Sequence, residues 1–214
     1  RAVPMRRVAD LLEERAEALG RLATLEMGKP LGEAIGEVKK CAWVCRHYAE
    51  HTEAYLTPKV TATDASRSVV RYDPLGVILT IMPWNFPFWQ VFRFIGPHLM
   101  AGNGGVLKHA PNVPQCALAI ERIMTDAGFP PDLFRVTLSG TEAVAGLIAD
   151  DRIAAVTLTG SERAGRAVGA AAGEAIKPVV LELGGADPFI VLSDADVERA
   201  AEVAVATAAP HANA

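Results

Sequence analysis

From Ser68 onward, short apolar runs alternate with helical stretches, and this alternation is the strongest constraint on the fold. The runs are apolar at consecutive positions, so strands made from them are buried on both faces. Such strands separated by helices predict a doubly wound parallel α/β sheet. The predicted strands are Val77–Ile81, Gly105–Leu107, Phe134–Leu138, Ala154–Leu158, Val179–Leu183 and Phe189–Leu192. The predicted helices between and after them are Phe88–Ala101, Pro114–Ala127, Thr141–Ala149, Ser161–Ala172 and Ala195–Thr207.

A helical pair precedes the predicted sheet. Met5 to Glu26 has apolar residues at helical spacing, and Gly28-Lys29-Pro30 ends this helix. A second helix is predicted from Leu31 to Tyr55. We therefore expect three parts: a helical segment over 1–56, an extended connection over 57–73 and the α/β domain over 74–214.

Composition excludes several classes of protein. Half of the 214 residues are apolar, the net charge is −4, and no basic cluster predicts nucleic-acid binding. The 19-residue uncharged run from Pro74 to Phe92 is interrupted by Pro83, Asn85 and Pro87, so no membrane span is predicted. Three cysteines are too few for a disulfide framework and favour reduced thiols in the cytoplasm. The chain begins at Arg1 and is interpreted as a piece of a longer protein, which leaves a targeting peptide open.

Polar residues follow the predicted strands, where ligands bind in this class of sheet. They are Asn85 within Pro83-Trp84-Asn85-Phe86-Pro87, Lys108, Ser139-Gly140, Thr159-Gly160-Ser161 and Glu182. Ser161 fits an ordinary helix N-cap or a phosphate contact at a helix N-terminus. No G-x-G-x-x-G or Walker A sequence is present, so a nucleotide site here is an unusual one.

Glu182 is the only charge among apolar neighbours after Lys177. A strand buried on both faces gives it no solvated side, and desolvation raises the pKa of a carboxyl group toward that of a general base. The alternative is a carboxylate at a strand end that binds turn amides. Phe86, Gln90 and Arg93 have helical spacing, which predicts a shared face near Asn85. A solvated surface arginine is the alternative for Arg93.

These motifs together resemble the aldehyde dehydrogenase family. They are Glu26-Met27-Gly28-Lys29-Pro30, Pro83-Trp84-Asn85-Phe86-Pro87, Ala101-Gly102-Asn103 with Leu107-Lys108, Leu158-Thr159-Gly160-Ser161 and Leu181-Glu182-Leu183-Gly184-Gly185. The segments Lys108-His109-Ala110-Pro111-Asn112 and Gly185-Ala186-Asp187-Pro188-Phe189 are similar to the branch that oxidises succinate semialdehyde.

The resemblance implies a Rossmann-like cofactor domain and roles for individual residues. It implies that Asn85 stabilises the oxyanion, that Glu182 activates the hydrolytic water, and that Arg93, with Phe86 and Gln90, binds the substrate. It implies NAD or NADP contacts from Met82, Pro83, Trp84, Lys108, Gly140, Thr159, Gly160, Ser161, Gly165 and Leu183. It also implies an aldehyde substrate and a homo-oligomer built through strands such as Thr61–Tyr72.

The sequence departs from the family pattern at three places, of which Ala186, in place of a commoner lysine or serine, has no evident consequence. Pro111 stands where the family usually has a glutamate that holds the ribose hydroxyls of NAD. Without that carboxylate there is no repulsion of a 2′-phosphate, so the resemblance permits NADP as a cofactor. The family's nucleophilic cysteine follows an Asn-x-Gly-Gln-x-Cys pattern, of which Asn213-Ala214 would be the start. None of Cys41, Cys45 and Cys116 lies in such a pattern, so this chain alone is predicted to be inactive.

Two other classes of function remain open. His47-Tyr48-Ala49-Glu50-His51 fits the H-x-x-E-H pattern of zinc peptidases. Helical geometry places Cys41 and Cys45 on a different side from His47 and His51, which argues against a metal site. The other alternative is a non-catalytic module that binds nucleotides or oligomerises.

Overall fold

The computed structural model describes residues 1–208. Its helices are α1 (Ala2–Glu14), α2 (Ala16–Met27), α3 (Leu31–Leu56), α4 (Trp89–Met100), α5 (Pro114–Asp126), α6 (Val144–Ala149), α7 (Glu162–Glu174) and α8 (Val197–Ala208). Its strands are β1 (Lys59–Val60), β2 (Val69–Val70), β3 (Val77–Met82), β4 (Gly104–His109), β5 (Phe134–Thr137), β6 (Ile153–Gly160) and β7 (Val179–Leu183). A 3₁₀ turn, Thr141–Ala143, precedes α6.

The predicted first helix is two helices in the structure. The chain turns at Arg15, where the backbone has φ −106° and ψ 10°, and both halves pack against α3. Arg15 pairs with Asp126 at the end of α5, at 2.7 Å. The prediction of one helix was wrong because amphipathic spacing continues through the turn. The predicted end at Gly28 is confirmed, since this residue caps α2 with φ 82°.

The five longer strands form one parallel sheet in the order β5-β4-β3-β6-β7. The chain enters at the central strand β3, moves outward to β4 and β5, and then crosses to β6 and β7. This confirms the predicted doubly wound sheet and places the topological switch point between β3 and β6.

Side chains of β3 alternate between two apolar cores. Ile78 and Met82 pack with helices α1 to α5 on one face. Leu79 and Ile81 pack with α6 and α7 on the other face. The N-terminal helices therefore share a core with α4 and α5, the two helices that follow β3 and β4.

Two segments lie outside these cores and are exposed to solvent. Strands β1 and β2 pair antiparallel as a short exposed ribbon within the segment 57–73. A second compact unit begins at Gly184. In this unit Phe189–Leu192 is exposed and irregular, so the strand predicted there was wrong.

Over residues 1–208, no helix combines the length and apolarity needed to cross a bilayer.

Candidate active site

A cavity of about 380 Å³ opens at the switch point of the sheet. Its floor is formed by Ile81, Lys108 and Leu158, at the carboxyl ends of β3, β4 and β6. Its walls come from the 3₁₀ turn and α6 on one side and from α7 on the other, namely Thr141, Val144, Ala145, Ser161, Arg163, Ala164, Ala167, Val168 and Ala171. The cavity thus lies where parallel α/β sheets bind their ligands.

Ser161 is the N-cap of α7. Its Oγ accepts a hydrogen bond from the backbone N–H of Ala164 at 3.3 Å, which confirms the predicted cap. The remaining free N–H groups of the first turn and the positive end of the helix dipole favour an anion at this position. A Cβ at Gly160, the residue before Ser161, would make only ordinary van der Waals contact with Leu158 Cδ2, at 3.7 Å.

Two cations line the same cavity. Lys108 is buried, with a relative exposure of 5%, and it forms no ion pair within residues 1–208. Arg163 is exposed and also forms no ion pair within this part of the chain. Sequence reasoning missed Arg163, although its position two residues after Ser161 was a usable signal. A helix N-terminus with two uncommitted cations fits a phosphorylated ligand.

The other proposed cofactor contacts lie outside the lining of this cavity. Met82, Pro83 and Trp84 continue from β3 into the Asn85 segment, and Thr159 lies at the end of β6. Gly140 precedes the 3₁₀ turn. Gly165 packs against Leu183, because a Cβ at Gly165 would lie 2.5 Å from Leu183 Cδ2. This close approach of α7 and β7 gives Gly165 a packing role.

Asn85 lies in an irregular segment, 83–88, between β3 and α4. Its Oδ1 is buried and has no hydrogen-bond partner among the described residues. This oxygen is an acceptor, whereas a developing oxyanion needs the Nδ2 donor of the same amide, which makes no hydrogen bond to another described residue. Phe86 precedes α4, so the predicted helical face of Phe86, Gln90 and Arg93 is only partly formed: Gln90 is half-buried on the helix and Arg93 is exposed.

Arg93 and Glu182 form an ion pair, with Arg93 Nη2 3.3 Å from Glu182 Oε2. The Glu182 side chain is 54% exposed, and the prediction that it is buried was wrong. The reason is topological: β7 is the edge strand of the described sheet, and Val180 and Glu182 lie on its exposed side. The structure nevertheless brings together the two residues to which the resemblance assigns substrate binding and water activation.

The histidine motif on α3 lies apart from the cysteines. The rings of His47 and His51 stack at 4.5 Å, and His47 Nε2 lies 3.0 Å from the Tyr55 hydroxyl. Cys41 and Cys45 are fully buried in the core. The predicted separation of the two pairs is confirmed. Within residues 1–208, no group of three or more His, Cys, Asp or Glu side chains is arranged to hold a metal ion.

The fold and the cavity define a Rossmann-like α/β domain with a helix N-terminus and two cations at its switch point. A model of the aldehyde dehydrogenase family matches residues 1–213. The chain belongs to the aldehyde dehydrogenase family.

Several relatives in this family are named for the reaction that they catalyse. The chain is 60% identical over 201 residues to a probable NADP(+)-dependent succinate-semialdehyde dehydrogenase of Synechocystis sp., covering 94% of this chain and 44% of that protein. It is 54% identical over 200 residues to the NADP(+)-dependent succinate-semialdehyde dehydrogenase of Mycobacterium leprae, covering 92% and 44%. The crystal structure of a succinic semialdehyde dehydrogenase from Streptococcus pyogenes in complex with NADP+ superimposes with a TM-score of 0.91 at 36% identity, covering 93% and 44%. The chain thus spans less than half the length of these relatives.

Proposed function

We propose that the full-length protein oxidises succinate semialdehyde to succinate with NADP+, NAD+ being the alternative cofactor. The observation that carries this proposal is the ion pair of Arg93 and Glu182. Arg93, which would bind the carboxylate of the substrate, thus lies beside Glu182, which would take a proton from the hydrolytic water. Both residues belong to the same compact unit as the Asn85 segment. The naming of relatives as succinate-semialdehyde dehydrogenases supports the same substrate.

The residues around the cavity fit a dinucleotide phosphate. Ser161 and the first turn of α7 would hold the pyrophosphate, and Lys108 would contact the adenosine ribose. Arg163 and Lys108 together offer two positive charges, which suits the additional 2′-phosphate of NADP. Pro111 places no carboxylate where it would repel that phosphate. When bound, the cofactor supplies the acceptor for the hydride of the aldehyde.

Each site residue of this chain has a separate part in the proposed chemistry. The Asn85 amide donates a hydrogen bond to the oxygen of the reacting carbonyl group as negative charge develops there. Glu182 takes a proton from the water that hydrolyses the acyl group. Arg93 fixes the far carboxylate of the substrate, and its planar guanidinium has enough donors to hold that carboxylate and Glu182 together. Phe86 and Gln90 would line the substrate path.

A direct assay tests the proposal. The full-length protein is incubated with succinate semialdehyde and either NADP+ or NAD+, and reduced cofactor is measured by its absorbance. We expect oxidation with both cofactors and a higher kcat/KM with NADP+. Absence of oxidation, together with tight NADP+ binding, would instead support a non-catalytic nucleotide-binding module.

We further infer that the protein works in the cytoplasm as a homo-oligomer. The exposed β1–β2 ribbon supports the second inference, because its outer strand edges are available for pairing with another copy. Size-exclusion chromatography with light scattering tests it, and a monomeric mass for the full-length protein would contradict it.

A further inference from the structure

Lys29 and Glu37 form a buried ion pair outside the residues assigned above. Lys29 Nζ lies 2.5 Å from Glu37 Oε2, and the two side chains are 4% and 3% exposed. Every other ion pair found in residues 1–208 has a partner that is more than a third exposed. Taking two charges out of water is costly, and an apolar pair of similar size is often at least as stable. Stability alone therefore does not account for this pair.

Both members of the pair contact the segment that carries Asn85. The second carboxylate oxygen of Glu37, Oε1, accepts hydrogen bonds from the backbone N–H groups of Phe88 at 2.8 Å and Trp89 at 2.9 Å. These amides lie at the start of α4, so Glu37 caps this helix from α3. Lys29 Nζ lies 3.5 Å from the centre of the Phe86 ring, in cation–π contact.

The contacts therefore fix the residues on the carboxyl-terminal side of Asn85. Phe86 is the next residue after Asn85, and Phe88 is the third. No capping side chain within α4 itself replaces Glu37, because Phe88 at the N-cap has no side-chain hydrogen bond. A third contact joins the segment to β4, where His109 Nε2 donates to the Pro87 carbonyl at 2.9 Å.

We propose that Glu37 and Lys29 are positioning residues for the Asn85 amide. This inference rests on the proposed oxidation of an aldehyde by the full-length protein. An oxyanion donor acts only when its N–H group is held at hydrogen-bond distance from the charge that develops, and small displacements weaken it steeply. Glu37 acts through the backbone of Phe88 and Trp89, and Lys29 through the carboxylate and the Phe86 ring. Neither residue touches the substrate.

A double-mutant cycle in the full-length protein tests the proposal. Asn85→Ala is expected to lower kcat about 100-fold or more, as loss of one oxyanion donor does elsewhere. We expect Glu37→Ala to lower kcat at least tenfold and to leave the Kd for NADP+ unchanged. In the Asn85→Ala background, Glu37→Ala should lower kcat less than twofold further, because the group that it positions is already gone.

A conservative variant separates positioning from charge. Glu37→Gln removes the buried carboxylate charge, keeps an oxygen that accepts from the two backbone N–H groups and leaves Lys29 in place over the Phe86 ring. This variant should recover most of the kcat that Glu37→Ala loses. Failure to recover, with a native melting temperature, would overturn the assignment of the effect to the two amide contacts.

Glu26→Ala is the matched control variant. Glu26 caps α5 in the same way, accepting from the backbone N–H groups of Gln115 and Cys116 at 2.8 Å each. Helix α5 carries none of the proposed site residues, so Glu26→Ala should lower the melting temperature without the loss of kcat. An equal loss of kcat in both cap variants would show a general effect of destabilisation and would overturn the proposal.

The outcomes also separate this inference from the proposed function. One outcome is that Asn85→Ala lowers kcat and that Glu37→Ala lowers it by its full factor again in the Asn85→Ala background. Glu37 then does not act through Asn85, and the proposed function stands. If Asn85→Ala oxidises aldehydes at the normal rate, Asn85 is not the oxyanion donor, and both the role of Asn85 and its positioning by Glu37 are overturned. If the unmodified full-length protein oxidises no aldehyde, the proposed function fails, and positioning of an oxyanion donor fails with it.

Discussion

Glu182 lies on the exposed edge strand β7, with one carboxylate oxygen directed to Arg93. Within this part of the protein the Glu182 side chain is 54% exposed, and a base for hydrolysis needs access to water. We therefore expect Glu182 to act in the second half of the proposed reaction, after the hydride has left the aldehyde. Nothing in this placement assigns it a part in the hydride step.

Glu182→Gln in the full-length protein should slow hydrolysis of the acyl group more than hydride transfer. Glutamine keeps the shape of the side chain and a contact with Arg93 but cannot accept a proton from water. Rapid-mixing measurements should then show a burst of reduced cofactor followed by a slow steady state. Equal reductions of burst and steady state would show that Glu182 is not the hydrolytic base.

Arg93→Ala should impair oxidation of succinate semialdehyde selectively. Loss of a hydrogen bond to a charged group costs about 1.5–3 kcal/mol, which is roughly a ten- to hundredfold decrease in kcat/KM. An uncharged four-carbon aldehyde has no carboxylate for Arg93 to bind, so its kcat/KM should change little. Comparing both substrates in the same preparation provides the control. Equal losses on both would assign Arg93 a structural role and remove the argument for an acidic substrate.

At the scale of single elements, the N-terminus of α7 permits a test of the two interpretations of Ser161. Ser161→Ala removes the cap and should lower the free energy of unfolding by about 1 kcal/mol. If Ser161 also contacts the pyrophosphate, the full-length variant should bind NADP+ more weakly, as measured by calorimetry. Ser161→Thr keeps the hydroxyl group and should restore both properties. Lower stability with unchanged NADP+ affinity would leave Ser161 as an ordinary cap.

We expect His109, at the end of β4, to make the stability of the chain sensitive to acid. Burial lowers the pKa of His109 below its ordinary value of 6.5. Its Nε2 donates to the Pro87 carbonyl, and its Nδ1 accepts from the Ala110 N–H at 2.8 Å, so the neutral ring fits both partners. Protonation of Nδ1 removes this acceptor. The unfolded chain takes up the proton first as the pH falls, and stability decreases from about pH 6.5 downward.

Urea unfolding of the chain between pH 7.5 and pH 5 measures this dependence. The free energy of unfolding should decrease over this range in the unmodified chain. His109→Gln has no titrating group at this position and should show a smaller decrease, while the other histidines, including the half-buried His98, provide the background in both proteins. The same decrease in both proteins would contradict the assignment to His109.

At the scale of the whole molecule, all three thiols lie in the core that the N-terminal helices share with α4 and α5. Burial raises the pKa values of Cys41, Cys45 and Cys116, so none supplies a thiolate at neutral pH. A thiol reagent should label the native 214-residue chain at least 100-fold more slowly than the chain in guanidinium chloride. Rapid labelling of one native thiol would contradict this expectation.

Because its three cysteines are buried, we expect this chain by itself to oxidise no aldehyde. The proposed chemistry needs a thiolate nucleophile, and Asn85 and Glu182 do not replace it. The predicted start of the nucleophile motif, Asn213-Ala214, lies outside the described residues. Reduction of NADP+ by the purified 214-residue chain with succinate semialdehyde would show that the nucleophile is misassigned.

The order of elements, the parallel sheet and the residues at its strand ends could be predicted from the sequence, because they depend on local patterns. Runs of consecutive apolar residues require burial on both faces, and Gly28 and Ser161 mark helix boundaries through their own backbone and side-chain chemistry. The motifs around Asn85, Lys108 and Glu182 were recognisable for the same reason, since each occupies a few consecutive positions.

Only the tertiary structure decided which of these residues meet and which are buried. Within the described residues Glu182 is exposed because β7 lies at the edge of their sheet, and no local pattern shows which predicted strand lies at that edge. The turn at Arg15 depends on packing of two helices against α3, and the amphipathic pattern is the same on both sides of it. Glu37 reaches the amides of Phe88 and Trp89 across about 50 residues of sequence, a contact that exists only after α3 and α4 pack. Local periodicity determines elements, whereas burial and long-range hydrogen bonds depend on how those elements pack together.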